Sequence, residues 1–168
     1  MKTTSRDNEF REFFAHESAR LQRFATMLVG DPNEAAELAQ ESLVRVYKHW
    51  GRVREGSPGA YARRIVVNLV RSAHRYNTRR RERPLLPGPE SADGHAVRVE
   101  EWLRVSSALA QLSPVRRATI LLRFYEDLSE HEISRALDRP LGTVKSDIHR
   151  ALRQLRPLLE ESEARGLK

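Results

Sequence analysis

The chain has 168 residues, of which 39% are hydrophobic, with a net charge of +7 and no cysteine. This composition supports one ordinary packed domain or two small ones, and it excludes disulfides, thiolate metal sites and wholesale disorder. No apolar run approaches the roughly 20 residues of a membrane span, and the first residues lack a signal-peptide core, so we expect a cytoplasmic protein without membrane insertion. Residues 52–83 hold ten arginines against two glutamates, which favours a polyanionic partner.

The first two predicted elements are amphipathic helices. The first has an apolar stripe at helical spacing, made of Phe10, Phe13, Phe14, Leu21, Phe24 and Leu28. Gly30 ends it, and Asp31 followed by Pro32 predicts the N-terminal cap of a second helix that runs to about Gly51. The apolar face of the second helix consists of Ala35, Leu38, Ala39, Leu43, Val46, Tyr47 and Trp50.

The outer face of the second helix carries an acidic row, defined as Glu34, Glu37 and Glu41. Three carboxylates on one face are usually only solvated. They can also bind a basic protein surface through charge complementarity.

A third long helix is predicted to begin at Ser57-Pro58. Its buried stripe consists of Tyr61, Ile65, Val66, Leu69, Ala73 and Tyr76, and its other face carries Arg64, Asn68, Arg71 and Arg75. Asn68 is a poor helix-interior residue, which hints at a polar contact. Unstacked bases stack on aromatic rings and on guanidinium planes, and this segment offers both. The spacing of Tyr61 and Tyr76, however, favours a place in the core over contact with bases.

Residues 84–97 hold three prolines and two glycines without periodicity, so they are predicted to be a flexible linker. Two helices follow, the second capped by Ser113-Pro114. The predicted fold class is therefore all-α, with two small helical domains joined by this linker.

A helix-turn-helix is predicted in the C-terminal domain. Ser129 and Glu132 form a capping box, Pro140 and Gly142 break the helix, and a helical period restarts at Val144. The second helix of such a motif enters the DNA major groove, and its polar face here carries Thr143, Lys145, Ser146, His149, Arg150 and Arg153. Asp147 would repel phosphate, so we expect it to accept from a cytosine amino group or to lie toward solvent. A helical hairpin that only packs is the alternative.

Enzymatic signatures are absent from the sequence. Six histidines are scattered without metal-ligand spacing, and there is no phosphate loop, dinucleotide turn or nucleophile elbow. We therefore expect no catalytic residue, no metal and no cofactor.

Three segments in order resemble the extracytoplasmic-function sigma factors of bacterial RNA polymerase: DPNEAAELAQESLVRVYKHW, SPGAYARRIVVNLVRSAHRYNTRRR and LSPVRRATILLRFYEDLSEHEISRALDRPLGTVKSDIHRALRQL. The resemblance implies sigma region 2 over residues 8–83, the linker over residues 84–97 and sigma region 4 over residues 98–160. It implies that the protein binds core RNA polymerase and directs transcription from promoters with −10 and −35 elements.

The resemblance also implies roles for individual residues. Polymerase contacts, to the clamp of the largest subunit, fall on Glu34, Glu37, Gln40, Glu41 and Val44. Contacts to the −10 element, where the loop 51–59 helps to capture a flipped base, fall on Arg52, Tyr61, Arg64, Asn68, Arg71, Arg75 and Arg79. Contacts to the −35 duplex fall on the polar face of the last helix, and residues 112–125 would face the β-flap. An anti-sigma factor is the further partner that the resemblance implies.

Three positions depart from the family pattern: Tyr61 replaces a tryptophan, Ser72 an aspartate and Asp147 an arginine. The last two departures leave open which promoter bases the protein reads, but they do not change the family that the sequence resembles. The alternatives are a stand-alone helix-turn-helix regulator, which would bind duplex DNA by itself, and a nucleic-acid enzyme, for which the acidic row would have to bind a metal.

Overall fold

The structure, a computed structural model, describes residues 2–76 and 96–166, with side chains over residues 5–73 and 102–160. The chain divides into two compact units, Met1–Arg80 and Arg81–Lys168. Regular structure in the described ranges is helical, which confirms the predicted all-α class with two helical domains. Arg79 and most of the predicted linker lie outside these ranges, and so does the side chain of Arg75.

Unit 1 contains the helices α1 (Lys2–Val29), α2 (Pro32–Lys48), α3 (Trp50–Val53) and α4 (Pro58–Tyr76). The chain reverses between α1 and α2 because Gly30 adopts a φ of 81°, which glycine reaches without strain. The Asp31 carboxylate then accepts from the N–H groups of Asn33 and Glu34, at 2.9 and 3.1 Å. These bonds confirm the predicted cap and fix where α2 begins.

The core of unit 1 lies where α1, α2 and α4 meet. Its fully or nearly fully buried side chains include Leu21, Phe24, Leu28, Ala35, Val46, Ala62, Val66 and Val67. Each large apolar side chain buried there contributes about 1.5–3 kcal/mol to folding. Ser42 sits at the contact of α2 with α4 and donates its hydroxyl hydrogen to the Ala62 carbonyl oxygen at 2.7 Å.

Several expectations for unit 1 were wrong. Phe14 and Tyr47, predicted to be core residues, are exposed, and so is Ala73. The second helix ends at Lys48 rather than near Gly51, because the backbone of His49 leaves the helical region, with a φ of −104° and a ψ of 11°, before the short helix α3.

Unit 2 contains α5 (Ala96–Ala110), α6 (Pro114–Ile120), α7 (Glu130–Leu137) and α8 (Leu141–Gly166). Its core side chains come from all four helices and from the segments that flank α6, and they include Leu109, Leu112, Ala118, Leu122, Ile133, Leu137, Val144, Ala151 and Leu155. Helix α5 begins within the last two residues of the predicted linker. The capping box is confirmed, because the Ser129 hydroxyl accepts from the Glu132 N–H and the Glu132 carboxylate accepts from the Ser129 N–H.

Two irregular turns shape unit 2. After α6 the chain widens into a π turn over Leu121–Tyr125, where the Glu126 N–H reaches back to the Leu121 carbonyl at 3.1 Å. Asp138 ends α7 in the left-handed region with a φ of 51°. Gly142 was predicted to break the helix, but it lies inside α8, so the connection between α7 and α8 is only residues 138–140.

Candidate protein and nucleic-acid interfaces

The predicted polymerase-contact residues share one exposed surface of α2. Glu34, Glu37, Gln40, Glu41 and Val44 are all exposed. The Glu41 carboxylate accepts from Arg45 Nε at 2.7 Å, an exposed i,i+4 pair that adds only about 0.3–0.5 kcal/mol to stability. The surface is therefore acidic, with an apolar side chain among its carboxylates.

An apolar groove of about 470 Å³ runs between α1 and α2 beside this acidic surface. Its lining includes Phe10, Phe14, Leu43, Val44 and Tyr47. Sequence periodicity assigned Phe14 and Tyr47 to the core, yet they are 47% and 39% exposed. The pattern could not identify them as surface residues, because it reports which face of a helix is apolar and not whether a neighbour covers that face.

Polar contacts hold Tyr47 at the end of the groove. Its hydroxyl donates to Asp7 at 2.8 Å, and this bond to the carboxylate raises the pKa of Tyr47. Its carbonyl accepts from Arg6 Nη2 at 2.7 Å. The groove is thus ordered at one end and suits the apolar face of a helix.

The predicted −10 residues follow one face of α4. Tyr61, Arg64, Asn68 and Arg71 recur at helical spacing, with Arg64 and Asn68 exposed and the other two half-buried. Arg52 is exposed on α3. The predicted capture loop is shorter than expected, because residues 51–53 belong to α3 and α4 begins at Pro58, which leaves residues 54–57 as the connection.

His49 joins this face, although the sequence did not single it out. Its ring lies 6.4 Å from the Tyr61 ring in an edge-on arrangement. His49 Nδ1 lies 2.9 Å from the Arg45 carbonyl oxygen, which can only accept, so Nδ1 carries a hydrogen and Nε2 of a neutral ring is an acceptor. Two rings therefore stand at the end of the arginine-bearing face of α4.

Arg63 does not belong to that face. Its side chain is buried, and Nη2 lies 3.0 Å from Glu17 Oε2 on α1. A Cβ at Gly59 would lie 2.7 Å from Arg63 Nη1 and 3.0 Å from Glu17 Oε2, so any larger residue there requires this pair to shift. One of the ten arginines in the basic segment is therefore a packing element between α1 and α4.

The predicted −35 residues lie together on α8. Lys145, Ser146, His149, Arg150 and Arg153 are exposed, and Thr143 is half-buried. The Ser146 hydroxyl donates to the Gly142 carbonyl at 2.9 Å, which leaves its lone pairs to accept from base amino groups. The face is basic and offers both donors and acceptors.

Asp147 was expected to meet bases or solvent, and this expectation was wrong. It is 6% exposed on the inner face of α8. Its Oδ1 lies 3.7 Å from Arg116 Nε and its Oδ2 lies 3.4 Å from Arg139 Nη1. The carboxylate that would repel phosphate is thus removed from the face that can approach DNA.

Residues 112–125 are mostly buried or half-buried, and Phe124 is the large side chain among them that is exposed. Phe124 in the π turn is 60% exposed, and the Arg123 guanidinium stands 5.8 Å from its ring centroid. The helical spacing of the sequence places Ala118, Leu121 and Leu122 inward and leaves Phe124 off that face, and the structure agrees, because those three side chains are buried.

Neither a metal site nor a membrane span is found among the described residues. No group of three or more histidine, aspartate or glutamate side chains there could hold a metal ion. No helix in the same ranges is long and apolar enough to cross a membrane.

Comparison with known proteins identifies both units. Residues 13–80 match the family model "Sigma-70 region 2", and residues 102–155 match "Sigma-70, region 4". The RNA polymerase sigma-E factor of Streptomyces avermitilis is 35% identical over 161 residues, which cover 95% of this chain and 88% of that protein. The ECF RNA polymerase sigma factor SigL of Mycobacterium tuberculosis is 32% identical over 161 residues, which cover 90% and 89% of the two chains.

Solved structures share the fold. The sigma factor RpoE of Bartonella quintana, in complex with the anti-sigma factor NepR, aligns with a TM-score of 0.73 at 22% identity, covering 90% of this chain and 96% of that one. CnrH in complex with the cytosolic domain of CnrY aligns with a TM-score of 0.62 at 22% identity, covering 90% and 88%.

Proposed function

Because the chain belongs to the sigma-70 family, with ECF RNA polymerase sigma factors as its relatives, we propose a division of tasks between its two units. The shared function is to bind core RNA polymerase and direct promoter-specific initiation. We assign region 2 to residues 8–83 and region 4 to residues 98–160, ranges that enclose the matched segments. In this proposal the protein acts in the cytoplasm and performs no catalysis of its own.

Unit 1 is proposed to dock on the clamp of the largest polymerase subunit through α2 and the groove beside it. An apolar groove next to a row of carboxylates suits an amphipathic helix with a basic flank. The groove supplies apolar burial, and the acidic row Glu34, Glu37 and Glu41 supplies orientation. This pairing of groove and acidic row is the observation that carries the proposal, because a stand-alone DNA-binding regulator has no use for it.

The α4 face is proposed to hold the melted −10 element. Extruding a base costs a few kcal/mol, and stacking on an aromatic ring returns about 1–3 kcal/mol per base. Tyr61 and His49 supply rings, Asn68 supplies an amide for base edges, and the exposed arginines supply backbone contacts. We extend the backbone contacts to Arg75 and Arg79 from the sequence pattern.

Unit 2 is proposed to read the −35 duplex with α8 and to contact the β-flap with Phe124. Lys145, Ser146, His149 and Arg150 lie on the exposed face that would enter the major groove. An exposed phenylalanine in a π turn suits an apolar pocket on a protein rather than DNA.

An anti-sigma factor is the proposed regulatory partner. Two solved structures of the same fold are complexes, one of the sigma factor RpoE with the anti-sigma factor NepR and one of CnrH with the cytosolic domain of CnrY. A protein that filled the α1–α2 groove would compete with polymerase for Phe14, Val44 and Tyr47.

Run-off transcription with purified core polymerase and a randomised promoter library tests the function. We expect transcripts only when the protein and core enzyme are both present, from templates that share two spaced elements. Tight sequence-specific binding to a palindrome by the protein alone, without stimulation of core enzyme, would instead establish the stand-alone regulator.

A further inference from the structure

Asp147 joins three parts of unit 2 through one buried carboxylate. It lies on α8, Arg116 lies on α6, and Arg139 lies in the connection before α8, with N–O distances of 3.7 and 3.4 Å. Isolated burial of a carboxylate is strongly unfavourable, and two guanidinium groups offset that penalty. The three residues therefore form a unit, here called the Asp147 cluster.

The carboxylate of Asp147 does not occupy all the N–H donors of the two arginines in the cluster. Their side chains are 32% and 28% exposed, and a guanidinium has five N–H donors in a planar fork. Two other arginines of unit 2 are used differently. Arg117 donates to the Ala110 and Leu112 carbonyls, and Arg123 donates to the Leu128 carbonyl.

The place of the cluster suggests what the remaining donors bind. In a helix-turn-helix the first turns of the second helix enter the major groove, so the residues just before that helix lie near the DNA backbone. Arg139 lies two residues before α8, and Arg116 is held beside it by the same carboxylate. Contacts to the DNA backbone fix the register and orientation of a protein on the duplex. Cations that are already held in place suit that role.

We propose that Arg116 and Arg139 form a site for a backbone phosphate of the promoter duplex and that Asp147 is its positioning residue. The inference rests on the proposed function, in which α8 reads the −35 element. Asp147 restricts both guanidinium groups before DNA arrives, so less conformational entropy is lost on binding. The carboxylate thus strengthens DNA binding although its charge opposes phosphate.

Asp147→Asn in the full chain, assembled with core polymerase, tests this role. The probe is a promoter fragment selected by the wild-type holoenzyme from a randomised library, and affinity is measured over a series of salt concentrations. Removing a negative charge would by simple electrostatics tighten binding. We expect instead that DNA affinity falls about tenfold. The slope of log affinity against log salt concentration should become shallower by roughly 0.9 for each phosphate that the protein no longer neutralises.

Asp138→Asn is the matched control. Asp138 is exposed at the left-handed end of α7, a conformation that asparagine also tolerates, and the substitution makes the same charge change in the same motif. We expect this variant to bind DNA as tightly as the wild type or slightly tighter. Arg116→Ala and Arg139→Ala should each make the slope shallower by about 0.9, and they provide the test if Asp147→Asn folds poorly.

The proposal is overturned if Asp147→Asn behaves like Asp138→Asn, or if it loses affinity with an unchanged salt slope, because that result indicates a purely structural role. An unchanged salt slope in both arginine variants overturns it as well.

Arg150→Ala in the same assay separates this inference from the proposed function. If Arg150→Ala weakens binding and the cluster variants do not, only the inference fails, and if Arg150→Ala has no effect, the assignment of α8 fails.

Discussion

In each unit a charged side chain is buried on the helix that is proposed to meet DNA, and the two buried charges have opposite signs. On α4 the buried residue is Arg63, paired with Glu17, while Arg64 and Asn68 remain exposed. On α8 it is Asp147, paired with Arg116 and Arg139, while Lys145, Ser146 and Arg150 remain exposed. In unit 1 a cation is thus buried away from the face proposed to bind nucleic acid, and in unit 2 an anion is.

The comparison shows that formal charge along the sequence is a poor guide to charge at the surface. The count of ten arginines in residues 52–83 is higher than the number of cations available to DNA. The formal charge of Asp147, in the second turn of α8, makes the exposed face of that helix look less basic than it is. Both corrections come from tertiary partners. Buried ion pairs of this kind tie helices together, and breaking one leaves an uncompensated charge inside the unit.

The largest predicted effect is on the stability of unit 1. Arg63→Ala leaves Glu17 without its cation in a mostly buried position, so we expect the free energy of unfolding to fall by about 3 kcal/mol in denaturant titrations. The adjacent Arg64→Ala, at an exposed position, should change stability by about 0.5 kcal/mol or less. Equal stability of the two variants would remove the contrast between the buried and exposed arginines of α4.

A smaller loss is expected from Gly59→Ala, which forces the Arg63–Glu17 pair to shift. Overpacking of this kind costs about 1–3 kcal/mol. Gly51→Ala is the matched control, because a Cβ at Gly51 meets nothing within 4 Å. Thermal unfolding of the two variants should therefore separate, with Gly59→Ala melting lower. Coincident melting curves would show that the pair tolerates displacement.

The smallest stability effect is expected in unit 2, where a local cap rather than a long-range pair is removed. Ser129→Ala deletes an N-cap and should cost about 1 kcal/mol. The hydroxyl and N–H of Ser129 hold the pKa of Glu132 below its usual range. The contribution of this carboxylate is therefore present at neutral pH and is lost as the pH falls through its folded-state pKa. Stability of the wild type should fall more than that of Ser129→Ala on acidification, and parallel pH profiles would contradict the capping account.

Local features were predictable from the sequence, and features that depend on distant partners were not. The Asp31 cap and the Ser129–Glu132 box involve residues within three positions of each other, so their spacing was sufficient. The exposure of Phe14 and the burial of Arg63 and Asp147 depend on helices elsewhere in the chain. The predicted polymerase, −10 and −35 faces fall on exposed or half-buried residues wherever side chains are described, but the groove beside α2 and the ring of His49 required the tertiary structure.

The most direct test of the account is a paired measurement on Glu37→Lys and Arg150→Ala. Binding to core polymerase and binding of the resulting holoenzyme to its selected promoter duplex are measured for both variants. Glu37→Lys should weaken polymerase binding by about tenfold with little effect on DNA binding at saturating protein, and Arg150→Ala should weaken only DNA binding, also by about tenfold. Equal loss of polymerase binding in both variants would contradict the assignment of separate protein and DNA surfaces to the two units.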